Sequence, residues 1–175
     1  MRSACSDEQV AARQNKRVEI AEITGQPLVI DGYNLLITVE AAMSGGFVFI
    51  GRDGCFRDLA GIHGTYRKVS ETIPAIELIG SFLGRAGIDS VLWLLDRPVS
   101  NSGRLKTLMN ELARENDFLW TVELVVSPDA VLAKSEQIIV SSDSVVLDKC
   151  GRWVNLARCV IERELPKANL VDMSC

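Results

Sequence analysis

The sequence is poor in cysteine, and none of it is patterned for metal. The five residues Cys5, Cys55, Cys150, Cys159 and Cys175 are odd in number, and no two stand as C-x-x-C. That argues against a zinc site and for free thiols in a reducing cytosol. An excess of positive charge is also missing. With 19 basic and 23 acidic residues the net charge is -4, so bulk charge does not make this a protein that coats nucleic acid. Any such role must rest on a local patch. No stretch reaches about 18 apolar residues, and no membrane span is expected. Met1 to Lys16 has no apolar run of the signal-peptide kind. The chain lacks a G-x-G-x-x-G after its first strand, a P-loop and a G-x-S-x-G elbow, which excludes the usual dinucleotide, P-loop and serine-hydrolase readings. There is no internal repeat and no low-complexity segment.

What is present is a chain of 175 residues, 47% of them hydrophobic, enough for one domain with a real core. Residues 1–26 are polar and read as an arm or a short helix, and 27–175 read as the domain. Pro27 to Asp31, Ser90 to Asp96, Trp120 to Val126 and Gln137 to Ser141 read as strands. A further short strand is expected near Trp153–Val154. Leu35 to Ala42 is apolar and open to either a strand or a helical turn. Phe47–Ile50 reads as part of a hairpin. The three- and four-residue spacing of Val69, Ile73, Ile76, Ile79, Leu83 and Ala86 predicts an amphipathic helix, with Pro74 either kinking it or sitting in a first turn capped by Thr72. Helices are also expected from about Asn101 to Leu112, from Pro128 to Lys134, after Asp143, and over Leu156–Ile161. Strands alternating with helices predict an α/β fold with a mostly parallel central sheet flanked by helices.

Three of the predicted strands end in the same way, at Asp31, Asp96 and Asp143. Open parallel sheets bind ligands outside the carboxyl ends of their strands, so acids far apart in sequence are expected to meet there. Two carboxylates about 4 Å apart repel by roughly 4 kcal/mol at an effective dielectric of about 20. A divalent cation removes that repulsion, and hard oxygen donors suit Mg²⁺ or Mn²⁺. The bland reading of each Asp is a turn former or helix cap.

Asp31-Gly32-Tyr33-Asn34 after an apolar strand resembles the opening motif of the NYN branch of PIN-like ribonucleases. Ser141-Ser142-Asp143-Ser144 resembles that branch's second acidic motif, and Asp96 stands where the family has an acid on its middle strand. The resemblance runs from Leu28 to about Leu165. It implies a three-layer PIN-like architecture and a Mg²⁺- or Mn²⁺-dependent endonuclease acting on RNA, with Asp31, Asp96 and Asp143 holding the metal. Asn34 and Ser142 would orient the acids or contact phosphate. The chain departs from the family at Val145, where a second acid is common. Asp148 is the expected substitute ligand, with Glu40 and Asp53 as other candidates for a fourth acid.

Residues 45–64 are rich in glycine and are followed closely by basic residues. A loop this long is more often functional than not. Arg57, Arg67, Lys68 and Arg104 are candidates to grip a phosphate backbone, and His63, the only histidine, is a candidate acid. The resemblance also makes a homodimer unsurprising. Two alternatives remain. One is a PIN-like module that binds RNA or protein without cutting. The other is a haloacid-dehalogenase-like phosphohydrolase, which needs an acid where Tyr33 stands.

Overall fold

A computed structural model describes residues 5–59 and 66–174. In chain order its elements are α1 (Asp7–Lys16), β1 (Pro27–Asp31), α2 (Gly32–Met43), β2 (Phe47–Ile50), β3 (Phe56–Arg57), α3 (Thr72–Arg85), β4 (Ser90–Asp96) and α4 (Ser102–Glu115). These are followed by β5 (Trp120–Val125), α5 (Pro128–Leu132), β6 (Ile138–Val140), α6 (Ser144–Lys149), β7 (Arg152–Trp153), α7 (Leu156–Glu164) and β8 (Asn169–Asp172). Five strands form one sheet in the order β5-β4-β1-β6-β7, and every pairing in it is parallel. Parallel neighbours need crossovers, so helices cover both faces and the fold is a three-layer α/β/α sandwich.

Side chains along a strand alternate between the two faces, and the two cores follow that rule. Leu28 and Ile30 of β1 join Trp93, Leu95 and Val122 on the face covered by α2, α3, α4 and α7. Val29 of β1 joins Leu94, Ile139 and Trp153 on the other face, under Leu132 of α5 and Val146 and Leu147 of α6. Among the described residues no helix is long and apolar enough to cross a membrane.

Register aligns the strand ends. Asp31 lies opposite Leu94, two residues before Asp96 on the neighbouring strand. On the other side Ile30 lies opposite Val140, which brings Ser141 level with Asp31. Chain direction reverses sharply after β1, because α2 begins at Gly32 without a loop. A Cβ on Gly32 would stand 2.6 Å from Leu95 Cδ2 and 2.8 Å from the Leu94 carbonyl oxygen. Only glycine lets α2 start this close to β4. Gly32→Ala is therefore expected to destabilise the fold by about 1–3 kcal/mol. Gly103→Ala, where nothing lies within 4 Å, is expected to be neutral or slightly stabilising. Urea unfolding of the two variants checks the contrast.

Three readings are resolved by the structure. Leu35 to Ala42 is part of helix α2, because Gly32 commits the chain to helix immediately after β1. Pro74 sits in the first turn of α3, which does not extend back to Val69. The polar segment 1–26, open to an arm or a short helix, contains the helix α1. Ser6 closes a capping box on α1, and Arg13 on that helix is buried between Asp53 and Asp148. The Trp153 indole also donates to the Arg13 carbonyl at 2.8 Å. A second sheet, in the order β3-β2-β8, contains the expected hairpin of β2 and β3. Its third strand, β8, pairs parallel to β2 and had no clear signal in the sequence.

Candidate active site

Each of four adjacent strands is followed at its carboxyl end by an aspartate. Asp31 ends β1 and Asp96 ends β4. Asp143 follows β6 and caps α6, with its Oδ1 accepting from the amides of Val145 and Val146 at 2.8 and 3.2 Å. The fourth is Asp129, in the first turn of α5 just beyond β5. Helix α5 leans inward from the sheet edge onto β1, β4 and α6, which carries Asp129 over the strand ends.

The four carboxylates act on one another through space. Burial pushes Asp31 up to about 7, against the lowering effect of a hydrogen bond from Ser141, and the charges of Asp129, Asp96 and Asp143 push it further. Burial also raises Asp96, with Asp129 adding to it. Asp129 is raised by burial and by Asp143, with Lys149 opposing. Asp31 is thus a carboxyl that exchanges its proton near neutrality at the centre of a negative field.

Hydroxyl and amide groups hold this arrangement in place. Ser141 Oγ donates to Asp31 Oδ2 at 2.8 Å and accepts from the Asp143 amide at 3.0 Å. One serine therefore ties the first acid to the last. Asn34 Oδ1 accepts from both the amide and the hydroxyl of Ser142, at 2.8 and 3.0 Å. Asn34 and Ser142, expected to orient the acids or contact phosphate, brace α2 against the 141–143 turn. Arg57 supports the same turn from behind, donating from Nε to the Ser142 carbonyl at 2.8 Å.

Several expected site residues lie elsewhere. Asp148 is one helical turn beyond the cluster, and its carboxylate accepts from Arg13 at 2.7 Å and from Gln9 at 3.1 Å. Asp53 is buried between Arg13 and Arg57. That leaves neither Asp53 nor Arg57 facing a ligand, because each spends its charge on the other. Glu40 is nine residues along from Asp31, about 13 Å on a helix, and accepts from the hydroxyls of Tyr66 and Thr72. The fourth acid is Asp129. Its signal in the sequence is an acid just past a strand, as for the other three, set behind Pro128 in the first turn of α5. Arg67, Lys68 and Arg104 are exposed and line one pocket together. His63 lies outside the described residues.

Among the described residues no three acid, histidine or cysteine side chains stand close enough to share one ion as they are. The donor set is nonetheless all hard oxygen, and Mg²⁺ is commonly held by one or two carboxylates with water completing its shell. The carboxylates fit that mode better than a closed all-protein cage.

A family profile described as a domain of unknown function, DUF5616, matches residues 20–159. The chain belongs to the DUF5616 family. The matched region spans β1 through the first turn of α7, and so includes all four aspartates and the serines between them. A relative from Methanocaldococcus jannaschii, the uncharacterized protein MJ0935, is 29% identical over 147 residues, covering 84% of this chain and 70% of its own. No solved structure matches this DUF5616 chain.

Proposed function

We propose that the protein is a metal-dependent endoribonuclease whose site is the aspartate cluster at the carboxyl ends of β5, β4, β1 and β6. The observation that carries this reading is Asp31, buried at a strand end and pushed up to about 7 amid three further carboxylates. Such a field is costly to the folded chain alone and is relieved by a divalent cation. The resemblance of Asp31-Gly32-Tyr33-Asn34 and Ser141-Ser142-Asp143-Ser144 to PIN-like ribonucleases supports the same conclusion.

In this reading one or two of Asp31, Asp96, Asp129 and Asp143 hold Mg²⁺ or Mn²⁺, with water completing its shell. The ion would neutralise charge on a phosphodiester and acidify a bound water. Asp31 holds or releases a proton near pH 7. Ser141 orients its Oδ2 and the Asp143 backbone in one stroke. Asn34 and Arg57 keep the turn from shifting. The buried thiols Cys55 and Cys150, unbridged in the second core, suit a cytosolic protein.

The test is cleavage of a labelled single-stranded RNA with Mn²⁺, Mg²⁺ or EDTA. Cutting is expected only with metal, and Asp129→Asn is expected to reduce it by about 10-fold or more, the order seen when the support of a metal site is removed. Undiminished cutting in EDTA would refute the reading. The separation of the acids and the presence of Val145 favour one second reading, a module that binds RNA without cutting it. Metal-independent binding with no cleavage in any divalent ion would select it.

A further inference from the structure

A pocket of about 440 Å³ is lined by Tyr66, Arg67, Lys68, Asn101, Arg104, Leu105 and Leu108. Its volume is within the range of small-ligand sites, roughly 300–1,000 Å³. Two separate stretches of chain build it. Tyr66 to Lys68 form a strap, and Asn101 to Leu108 are the start of α4. The strap is fastened on both sides. The Asn101 side-chain amide donates to the Tyr66 carbonyl at 3.1 Å. The Tyr66 hydroxyl, deep in the core, bonds Glu40 and Thr72.

The lining has two kinds of surface. Leu105 is buried and Leu108 half-buried, which gives an apolar floor. Arg67, Lys68 and Arg104 are exposed at the rim, and none makes an ion pair with a described residue. Three unpaired cations around an apolar floor, in a chain of net charge -4, form a local patch that bulk composition does not reveal. The pocket also adjoins the acids. Helix α4 follows β4, which ends at Asp96. The Tyr33 ring, two residues after Asp31, leans on Tyr66 with centroids 5.3 Å apart. The Tyr33 hydroxyl is buried, has no hydrogen-bond partner among the described residues, and feels the Asp96 charge.

We propose that this pocket is a nucleotide subsite for unpaired RNA: one base rests on Leu105 and Leu108 while Arg67, Lys68 and Arg104 take the flanking phosphates. The proposal rests on the nuclease reading for the fate of the next phosphodiester, which the strand's path carries toward Asp96 and Asp31. A cavity of this size has room for an unpaired base. Sequence-tolerant gripping of single strands by cations around an apolar platform is the chemistry such a surface supplies.

The experiment is fluorescence anisotropy of a labelled single-stranded RNA in EDTA, with a duplex of the same sequence and a single-stranded DNA as competitors, over a salt series. The variants are Leu108→Ala and the triple variant Arg67→Gln, Lys68→Gln, Arg104→Gln. All three triple-variant positions are exposed, so the fold is expected to survive. Loss of three phosphate contacts should make the slope of log affinity against log salt shallower by about 2. Leu108→Ala should weaken binding about 10-fold with the slope unchanged, as loss of base contact does. Unchanged affinity and slope in the triple variant would overturn the proposal, as would a duplex that competes as well as the single strand. Equal competition by single-stranded DNA would overturn the choice of RNA. The two readings separate cleanly. Asp31-dependent cutting that the triple variant leaves intact rejects the subsite alone. Triple-variant loss of binding in a protein that never cuts keeps the subsite and rejects the nuclease.

Discussion

Asp31→Asn is expected to abolish metal-dependent cutting and, in metal-free buffer above pH 7, to make the folded protein more stable. Asp31 has a folded-state value of about 7, against about 3.9 in an unfolded chain. The folded state therefore binds its proton more tightly. The stability this confers is full below about pH 4, falls as pH rises, and is gone once pH passes about 7. Three units amount to roughly 4 kcal/mol, an upper figure because the other acids titrate over the same range. Asparagine keeps the shape and has no charge to expose to Asp129, Asp96 and Asp143. Wild type should thus lose stability between pH 5 and pH 8 in EDTA, while Asp31→Asn stays nearly flat. Mn²⁺ should restore wild type at pH 8 and do little for the variant. Urea unfolding at both pH values, with and without metal, reads all of this. A variant that tracks wild type across the range would show that Asp31 does not carry the repulsion.

The largest loss of stability is expected at Asp53, far from any ligand. Its carboxylate is fully buried and accepts from Arg57 through Nη1 and Nη2 at 2.8 and 2.6 Å, and from Arg13 Nη1 at 2.6 Å. Burial alone would raise its pKa, but Arg57 and Arg13 outweigh that and pull it down to about 2. Asp53→Ala leaves two guanidinium groups buried without their shared partner, which costs about 3–5 kcal/mol. For a chain of this length that corresponds to a fall in melting temperature of about 10 °C. The pH sense is opposite to that of Asp31. The stabilisation by Asp53 is present above about pH 4 and is lost as pH falls toward 2, so the gap between wild type and variant should narrow at pH 3. The exposed pair Arg158–Glu162 is the contrast, and breaking it should cost under about 1 kcal/mol. Since Arg57 also supports the Ser142 carbonyl, Asp53→Ala should lower cutting even at temperatures where it stays folded. A loss below about 1 kcal/mol at pH 7 would mean that the network does not act as a unit.

Much of the fold was legible because buried parallel strands are covered on both faces and therefore appear as short continuous apolar runs. Leu28 to Ile30, Val91 to Leu95 and Ile138 to Val140 announced themselves in this way, and each was followed by its aspartate. Helix α4 was equally clear from the spacing of Leu105, Leu108, Met109 and Leu112. Helix α2 was not, since a helix buried on most of its surface loses the polar stripe that distinguishes it from a strand. Strand β8 was missed because its partner β2 lies more than a hundred residues away and its own residues are mostly exposed.

By itself the sequence determined the alternation of strands and helices, the acids that end the strands, and the chemistry those acids prefer, because each is a local property of residue type and spacing. Strand order is not local. Only the tertiary structure set β5, β4, β1 and β6 side by side, brought Asp129 into the cluster in place of Asp148, and turned Asp53 and Arg57 inward to neutralise each other. The physical reason is that a carboxylate's role depends on which charge or hydrogen-bond donor is nearest in space. For Asp53 and Asp148 that neighbour is Arg13, on a segment that reads alone as a polar arm or short helix.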